Sequence, residues 1–434
     1  MLTANLVYLY AVPMLVLCAV TLLLRRRRER RALRALTDSV NSGLTDPASL
    51  HPIIDPNRCM GCGTCTRVCP EGDVIGLVDG RAMLVDPTSC IGHGACAEVC
   101  PTGALTLVLG SERRGVDIPW VSPAFESSVP GIYVAGELGG MGLIRNAMEQ
   151  GRQAIEAIHA ARRRGGGKCL DLVIVGAGPA GIAASITAKS KRMRYLTLEQ
   201  DTLGGTVAHF PRRNLVMTAP VTLPIVGKIK FRETSKEQLL GLWENLIAKA
   251  GIKIRCKQTV TDIARRGDRF VVKTEKGQFE TRTVLLAIGR RGTPRELGVP
   301  GEELSKVVYR LADPEQYRGQ KVLVVGGGDS AIEAATSLAE ERRTEVTLCY
   351  RGKVFNRVKR KNRQKLEKAV GRKRIKVMLE ANLAEIRQRD ASIKKNGKRY
   401  RIPNDAVIVC AGGVLPTGFL KRIGLRMETK YGTA

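Results

Sequence analysis

Seven of the twelve cysteines lie between residues 59 and 100, in two ordered runs. The first is Cys59, Cys62, Cys65 and Cys69, followed by Pro70. The second is Cys90, Cys96 and Cys100, followed by Pro101, with His93 at the register position of a fourth cysteine. Cysteines at this spacing, each run closed by Cys-Pro, suit iron–sulfur clusters of the [4Fe-4S] type, and two of them would make the chain an electron carrier. Three closely spaced cysteines wrap one cubane, and the fourth ligand arrives from the opposite run. The first cluster is therefore expected on Cys59, Cys62, Cys65 and Cys100. The second would take Cys69, Cys90 and Cys96. His93 leaves three readings: a ring nitrogen on iron, which would raise that cluster's potential; a three-cysteine site, open or holding a [3Fe-4S] cluster; or a surface histidine. A structural zinc site would not need the trailing cysteines of each run. Disulfides would suit an oxidising compartment.

Further along, the chemistry is carried by glycines. DLVIVGAGPAGIAASITA, from Asp171, reads as a short apolar strand, a tight turn and a helix of small residues. In such a unit Gly176 makes the turn, Gly178 lets the backbone approach a pyrophosphate, and Gly181 allows close helix–strand packing. Glu199 ends the next strand, where a carboxylate accepts hydrogen bonds from a ribose diol. The pattern recurs in KVLVVGGGDSAIEAATSLA, with Gly326, Gly328 and Ala331 at the same offsets. The strand after it, EVTLCY, ends without an acid and meets Arg351 and Lys353, which favour a 2′-phosphate and hence NADPH over NADH. Two such units in one chain point to FAD in one and a nicotinamide nucleotide in the other.

Several elements must position these groups. Residues 2–24 carry no charge, are followed by RRRRERR at 25–31, and are long enough to cross a bilayer as a helix. The basic flank places the bulk of the chain in the cytoplasm, with the N-terminus outside an inner membrane. Residues 25–55 read as a charged helix and a loop, with anionic lipid as a partner near 25–35. The formal charge is +30, but it is spread along the chain with no reader motif, so nucleic acid is not expected. Residues 252–288 read as a β-hairpin with a closing strand. Residues 206–240 read as a loop before an amphipathic helix at 235–249, and His209, Arg212 and Arg213 in that loop are candidates to touch cofactor or acceptor.

Residues 56–109 resemble a bacterial-type two-cluster ferredoxin domain, inner pseudo-repeat included, apart from His93. Residues 115–434 resemble the low-molecular-weight thioredoxin reductase-like flavoproteins. That resemblance implies FAD on Gly176, Gly178, Pro179, Gly181 and Glu199, with Gly204 and Gly205 near the flavin. It implies NAD(P)H on Gly326, Gly328, Ser330 and Arg351, with Gly289 and Gly412 at the turns of two crossings between domains. It also implies a homodimer. Thioredoxin reductases carry paired arginines in the cofactor-phosphate element, and here the second is matched by Gly352. Their Cys-x-x-Cys is matched by VVYRLADPEQYRGQ, which has no cysteine. Dithiol exchange needs an attacking and a resolving sulfur, so the chain is closer to the bacillithiol-disulfide-reductase-like subgroup, which lacks the pair.

The family's last flavin-domain segment is a strand, Ala-Gly-Asp and a helix facing the flavin. The chain ends at METKYGTA without it, yet residues 123–161 read SPAFESSVPGIYVAGELGGMGLIRNAMEQGRQAIEAIHA. Gly131 to Ala135 would be the strand, Gly136 and Glu137 the cofactor contact, and Leu143 to His159 the helix. The flavin domain thus reads as circularly permuted, joined through RRRGGGK at 162–168, a rearrangement that domain termini lying close together tolerate.

The expected fold is α/β, with two Rossmann-like domains preceded by a transmembrane helix and a small α+β ferredoxin domain. The expected boundaries are an anchor at 1–24, a basic juxtamembrane linker at 25–55 and the ferredoxin domain at 56–110. The permuted segment follows at 111–165, the FAD domain at 166–300, the NAD(P)H domain at 301–400, and a return to the FAD domain at 401–434. The leading functional reading is a membrane-anchored NAD(P)H-dependent iron–sulfur flavoprotein serving a membrane redox complex or electron carrier. The alternatives are a flavin-site reductase of a small-molecule disulfide or other organic substrate, fed through the clusters, and a slow-turnover redox sensor or assembly protein.

Overall fold

The computed structural model describes residues 2–47, 50–113, 115–140, 142–161, 169–210, 215–217, 220–229, 233–355 and 358–432. The join at 162–168 and Arg212 and Arg213 lie outside these. The chain forms two compact units, residues 1–116 with 430–434, and residues 117–429.

The first unit opens with helix α1, Leu2–Asn41. Among the described residues no helix is long and apolar enough to cross a membrane. Within α1 the apolar residues run straight into RRRRERR at 25–31 without a break in the helix. The expected transmembrane anchor is thus overturned. With it go the inner-membrane location, the membrane redox complex and the lipid partner along residues 25–35. The far end of α1 packs on protein instead. Ala32 and Ala35 are buried with Val78 and Val85, and Ser39 Oγ donates to the Val85 carbonyl at 2.9 Å.

The rest of this unit is a pseudo-repeat. Strand Leu50–Ile54 pairs antiparallel with Leu105–Leu109. The hairpin Ile75–Val78 and Arg81–Leu84 closes on Asp79 and Gly80, both at positive φ, as a two-residue turn requires. Each half contributes one helical turn, α2 (Thr64–Val68) and α3 (Ala95–Glu98), entered through Gly63 and Gly94 in the left-handed region.

The second unit has two lobes. In the first, a sheet runs Ile254–Arg255, Tyr195–Leu198, Leu170–Val175, Gly277–Leu286, Arg269–Thr274 and Val260–Arg266. The last three strands are an antiparallel meander and the others are parallel. Strand Ile132–Val134 joins this sheet by parallel pairing with Val284–Leu286. Its following helix α4, Ile144–Ala161, packs on α5, Pro179–Ser190. Alanine and glycine along α5 let it bury almost every residue between the sheet and α4. Helix α6, Lys236–Ala250, starts at a capping box in which Ser235 and Gln238 each satisfy the other's backbone N–H, which stabilises a helix start by about 1 kcal/mol.

The second lobe is a parallel sheet ordered Val307–Val308, Ala406–Val409, Lys321–Val325, Glu345–Cys349 and Ile375–Met378. Helices α7 (Asp329–Glu340) and α8 (Arg360–Gly371) pack together beside it. The chain crosses between lobes at Thr293–Pro294 and Gly413–Val414, which pair antiparallel. Strand 406–409 belongs to this second sheet, so the return to the first lobe begins at the 413 crossing rather than at residue 401. Leu420, Ile423 and Leu425 then complete the first lobe's core.

Candidate cofactor sites

In the first unit the cysteines sort into two cavities. One is lined by Cys59, Cys62, Cys65 and Cys100 with Ala82 and Leu105. The other is lined by Cys69, Cys90, His93 and Cys96 with Glu71 and Ile75. One cysteine of each set comes from the opposite run, Cys100 in the first and Cys69 in the second, because the chain leaving each one-turn helix sends its last cysteine across. Backbone amides already serve the sulfurs, Ala82 N–H to Cys59 Sγ at 3.4 Å and Ala104 N–H to Cys100 Sγ at 3.3 Å. Such bonds stabilise a thiolate carrying cluster charge. The Thr64 hydroxyl holds the Cys62 thiol below its usual range, while burial pushes Cys65 and Cys96 up to about 11. Among the described residues no three His, Cys, Asp or Glu side chains converge on a single-ion site. A cubane asks for something else, ligands spread around a cavity with one on each iron.

The first dinucleotide turn is built by close approach. A Cβ at Gly181 would stand 1.9 Å from the Gly176 carbonyl oxygen, and one at Gly176 would stand 2.4 Å from that of Ala287. Only glycine closes a turn this tight. Gly178 caps α5 and Pro179 occupies its first turn, leaving the helix N-terminus available to a pyrophosphate. Glu199 is buried, and its carboxylate accepts from Ala177 N–H at 2.7 Å and Asp201 N–H at 2.9 Å. A carboxylate has about four acceptor positions, so two remain for a ribose diol. Gly204 N–H donates to the Ala177 carbonyl at 3.0 Å, which holds Gly204 and Gly205 against the turn.

Residues far away in sequence complete this cradle. Gly136, at φ 83°, donates its N–H to Gln150 Oε1 at 2.9 Å, and its ideal Cβ position lies 3.0 Å from the Ala180 methyl. Glu137 follows beside Gly289. Burial pushes its carboxyl up, against the opposing pull of Arg290 and Arg291. Gly136, Glu137, Gly176, Gly178, Gly181, Gly204, Gly205 and Gly289 thus gather around one helix N-terminus, and this set fits FAD. Bound there, FAD would supply hydride acceptance and single-electron release.

The second turn repeats the construction. A Cβ at Gly326 would stand 2.3 Å from the Cys410 carbonyl oxygen, Gly328 caps α7, and Ala331 is fully buried. Ser330 and Arg351 are exposed at the open side. Gly412, at φ 85°, lies on the returning crossing. Sequence reasoning missed Gln150, whose place on an amphipathic helix carried no motif. It also missed Tyr350, whose ring stacks on Phe355 at 5.3 Å. His209 sits 3.6 Å from Asp201 and also meets Arg310 of the second lobe.

Two dinucleotide turns on lobes joined by paired crossings define a flavin- and nicotinamide-dependent oxidoreductase. The family model for pyridine nucleotide-disulphide oxidoreductases matches residues 173–433, and that for the 4Fe-4S dicluster domain matches residues 51–101. The chain belongs to the pyridine nucleotide-disulphide oxidoreductases, as a low-molecular-weight FAD/NAD(P)H enzyme related to bacilliredoxin reductase and fused to an iron–sulfur ferredoxin domain. It is an NAD(P)H:acceptor oxidoreductase. It is 30% identical to a ferredoxin–NADP reductase of Ignicoccus hospitalis over 60% of this chain and 83% of that one. It is 25% identical to the bacilliredoxin reductase Bdr of Bacillus subtilis over 60% and 82%. The solved bacillithiol disulfide reductase Bdr of Staphylococcus aureus shares the fold, with a TM-score of 0.53 at 24% identity over 60% of this chain and 81% of that one.

Proposed function

We propose that the flavin site reduces a small-molecule disulfide or another organic acceptor, and that the iron–sulfur unit supplies electrons to it alongside NAD(P)H. The observation that carries this is the lack of a protein dithiol in the second unit. Its cysteines are Cys169, Cys256, Cys349 and Cys410, and none is paired. Burial pushes the Cys349 and Cys410 thiols up to about 12, which keeps them protonated and poorly nucleophilic at neutral pH. The reducible bond must therefore belong to the acceptor. The test is anaerobic. NADPH or NADH should bleach the flavin, and a panel of low-molecular-weight disulfides and quinones should restore its absorbance with turnover. Bleaching that no small acceptor reverses would refute the reading.

We further infer that the first cavity holds a cluster on Cys59, Cys62, Cys65 and Cys100. The second holds one on Cys69, Cys90 and Cys96 with His93 as fourth ligand. The lining of the two cavities supports this. Changed EPR g-values and potential in His93→Cys would agree with it; an unchanged spectrum would remove His93 from the ligand set.

We also infer that the flavin lobe is a circular permutation. The parallel pairing of Ile132–Val134 with Val284–Leu286 supports it. So do the bonds from Trp120 N–H to the Arg426 carbonyl at 2.9 Å and from Thr429 Oγ1 to Asp117 Oδ1 at 2.7 Å, which bring the two ends of the lobe together. Moving residues 117–161 to follow residue 429 should preserve flavin binding. Loss of flavin from that rearranged protein would count against the inference.

A further inference from the structure

The two dinucleotide turns can be read against each other. Gly176 N–H donates to the Leu198 carbonyl, and Gly326 N–H donates to the Cys349 carbonyl. The residues that follow, Glu199 and Tyr350, therefore occupy equivalent places, as do Ala177 and Gly327. In the flavin turn the Glu199 carboxylate meets the Ala177 amide. In the nicotinamide turn a Cβ on Gly327 would stand 2.2 Å from Cδ2 and Cε2 of the Tyr350 ring and 2.4 Å from Cζ. The ring thus fills the space that a side chain at Gly327 would take, where the other half holds its Glu199 carboxylate.

Two more observations fix it there. The segment is pinned by bonds from Tyr350 N–H to the Met378 carbonyl at 2.9 Å, Ala381 N–H to the Tyr350 carbonyl at 3.0 Å and Glu380 N–H to the Gly352 carbonyl at 3.1 Å. A Cβ on Gly352 would stand 2.6 Å from Tyr350 Cε1 and 2.8 Å from Cζ, so the ring also leaves no room for a side chain beside Arg351. Lys353 turns to Glu380, with Nζ to Oε1 at 3.9 Å. Exposed Arg351 is left at the rim of the turn.

We propose that Tyr350 is the specificity-determining residue of the nicotinamide site. Its ring fills the place of a diol acceptor, so an unmodified adenosine ribose finds no carboxylate, while Arg351 at the rim is placed to read a 2′-phosphate. The site then selects NADPH over NADH through that cation, and selects against NADH through the ring. The proposal rests on the nicotinamide reading of this turn.

The test is calorimetric titration of the full-length, flavin-loaded protein with NADP⁺, NAD⁺, 2′,5′-ADP and 5′-AMP. Wild type should bind NADP⁺ and 2′,5′-ADP more tightly than NAD⁺ and 5′-AMP. Arg351→Gln should weaken only the 2′-phosphorylated probes, by roughly 10- to 100-fold. Tyr350→Glu restores the carboxylate and should lower the NADP⁺:NAD⁺ affinity ratio at least about tenfold. Tyr350→Phe should keep the wild-type ratio, and unchanged flavin content in each variant shows that the unit is folded. An unchanged ratio in Tyr350→Glu would overturn the proposal alone. Wild type that binds none of the four probes would overturn the nicotinamide reading and the proposal together.

Discussion

Gly151→Ala tests whether helix α4 sits where the flavin lobe needs it. On an exposed helix this change is favourable, because alanine stabilises a helix interior by about 0.8–1.0 kcal/mol relative to glycine. Here the new Cβ would stand 2.2 Å from the Ala180 carbonyl oxygen, 2.9 Å from its carbon and 3.1 Å from its Cα. All three are backbone atoms in the first turn of α5, held by the glycine turn beneath. No rotamer relieves the clash, so the two helices must part by about 1 Å, and such overpacking costs about 1–3 kcal/mol or more. The steric term outweighs the helix gain, for a net loss of up to about 2 kcal/mol. That is a fall of up to roughly 3 °C in melting temperature for a unit of this size. Ala180 also flanks the pyrophosphate position, so flavin affinity should fall with it. The control is Gly241→Ala in α6, where nothing lies within 4 Å of the new Cβ and stability should rise by up to about 1 kcal/mol. Melting followed by flavin fluorescence reads both. A Gly151→Ala protein that melts at or above wild type would refute the close packing of α4 on α5.

The cavity assignment predicts a crossed pattern. Cys100→Ser should alter the same EPR signal as Cys59→Ser, and Cys69→Ser the same signal as Cys96→Ser; signals grouped by sequence run would contradict it. Glu199→Ala removes the acceptor of a buried backbone amide, worth about 1–3 kcal/mol, together with the ribose contact. It should purify largely without flavin, and Glu199→Gln, which keeps one acceptor, should retain more. Burial holds the Glu137 carboxyl above its usual range, so the folded protein grips that proton more tightly than the unfolded chain. Stability is then lost as pH rises from the ordinary carboxylate value of about 4.3 through the raised one. In flavin-depleted protein, Glu137→Gln should lose less stability than wild type over that window, and parallel pH profiles of thermal melting would contradict it.

The sequence carried much of the local chemistry. Cysteine spacing announced an iron–sulfur domain, and the two cavities draw cysteines from both runs, the arrangement that spacing implied. The glycine turns were legible too, since a carbonyl 1.9 Å from a would-be Cβ at Gly181 admits no other residue. The transmembrane reading was not upheld among the described residues. Composition over residues 2–24 registered the hydrophobic run but not that one helix continues from it through RRRRERR to Asn41. Residues 32–39, which read as a charged linker, bury alanines that no hydropathy window would mark.

By itself, then, the sequence determined which cofactor chemistries the chain contains, because those chemistries fix residue types over short spans. Tertiary structure decided which distant segments share a site. The resemblance implied that Gly136 and Glu137 belong with the flavin turn, and the structure supplies what carries them there, the pairing of Ile132–Val134 with Val284–Leu286. That pairing is between residues far apart in the chain, and no local spacing encodes its register. The role of Tyr350 emerged in the same way. As a residue it is one aromatic after a strand, and its meaning depends on the space that Gly327 leaves for its ring.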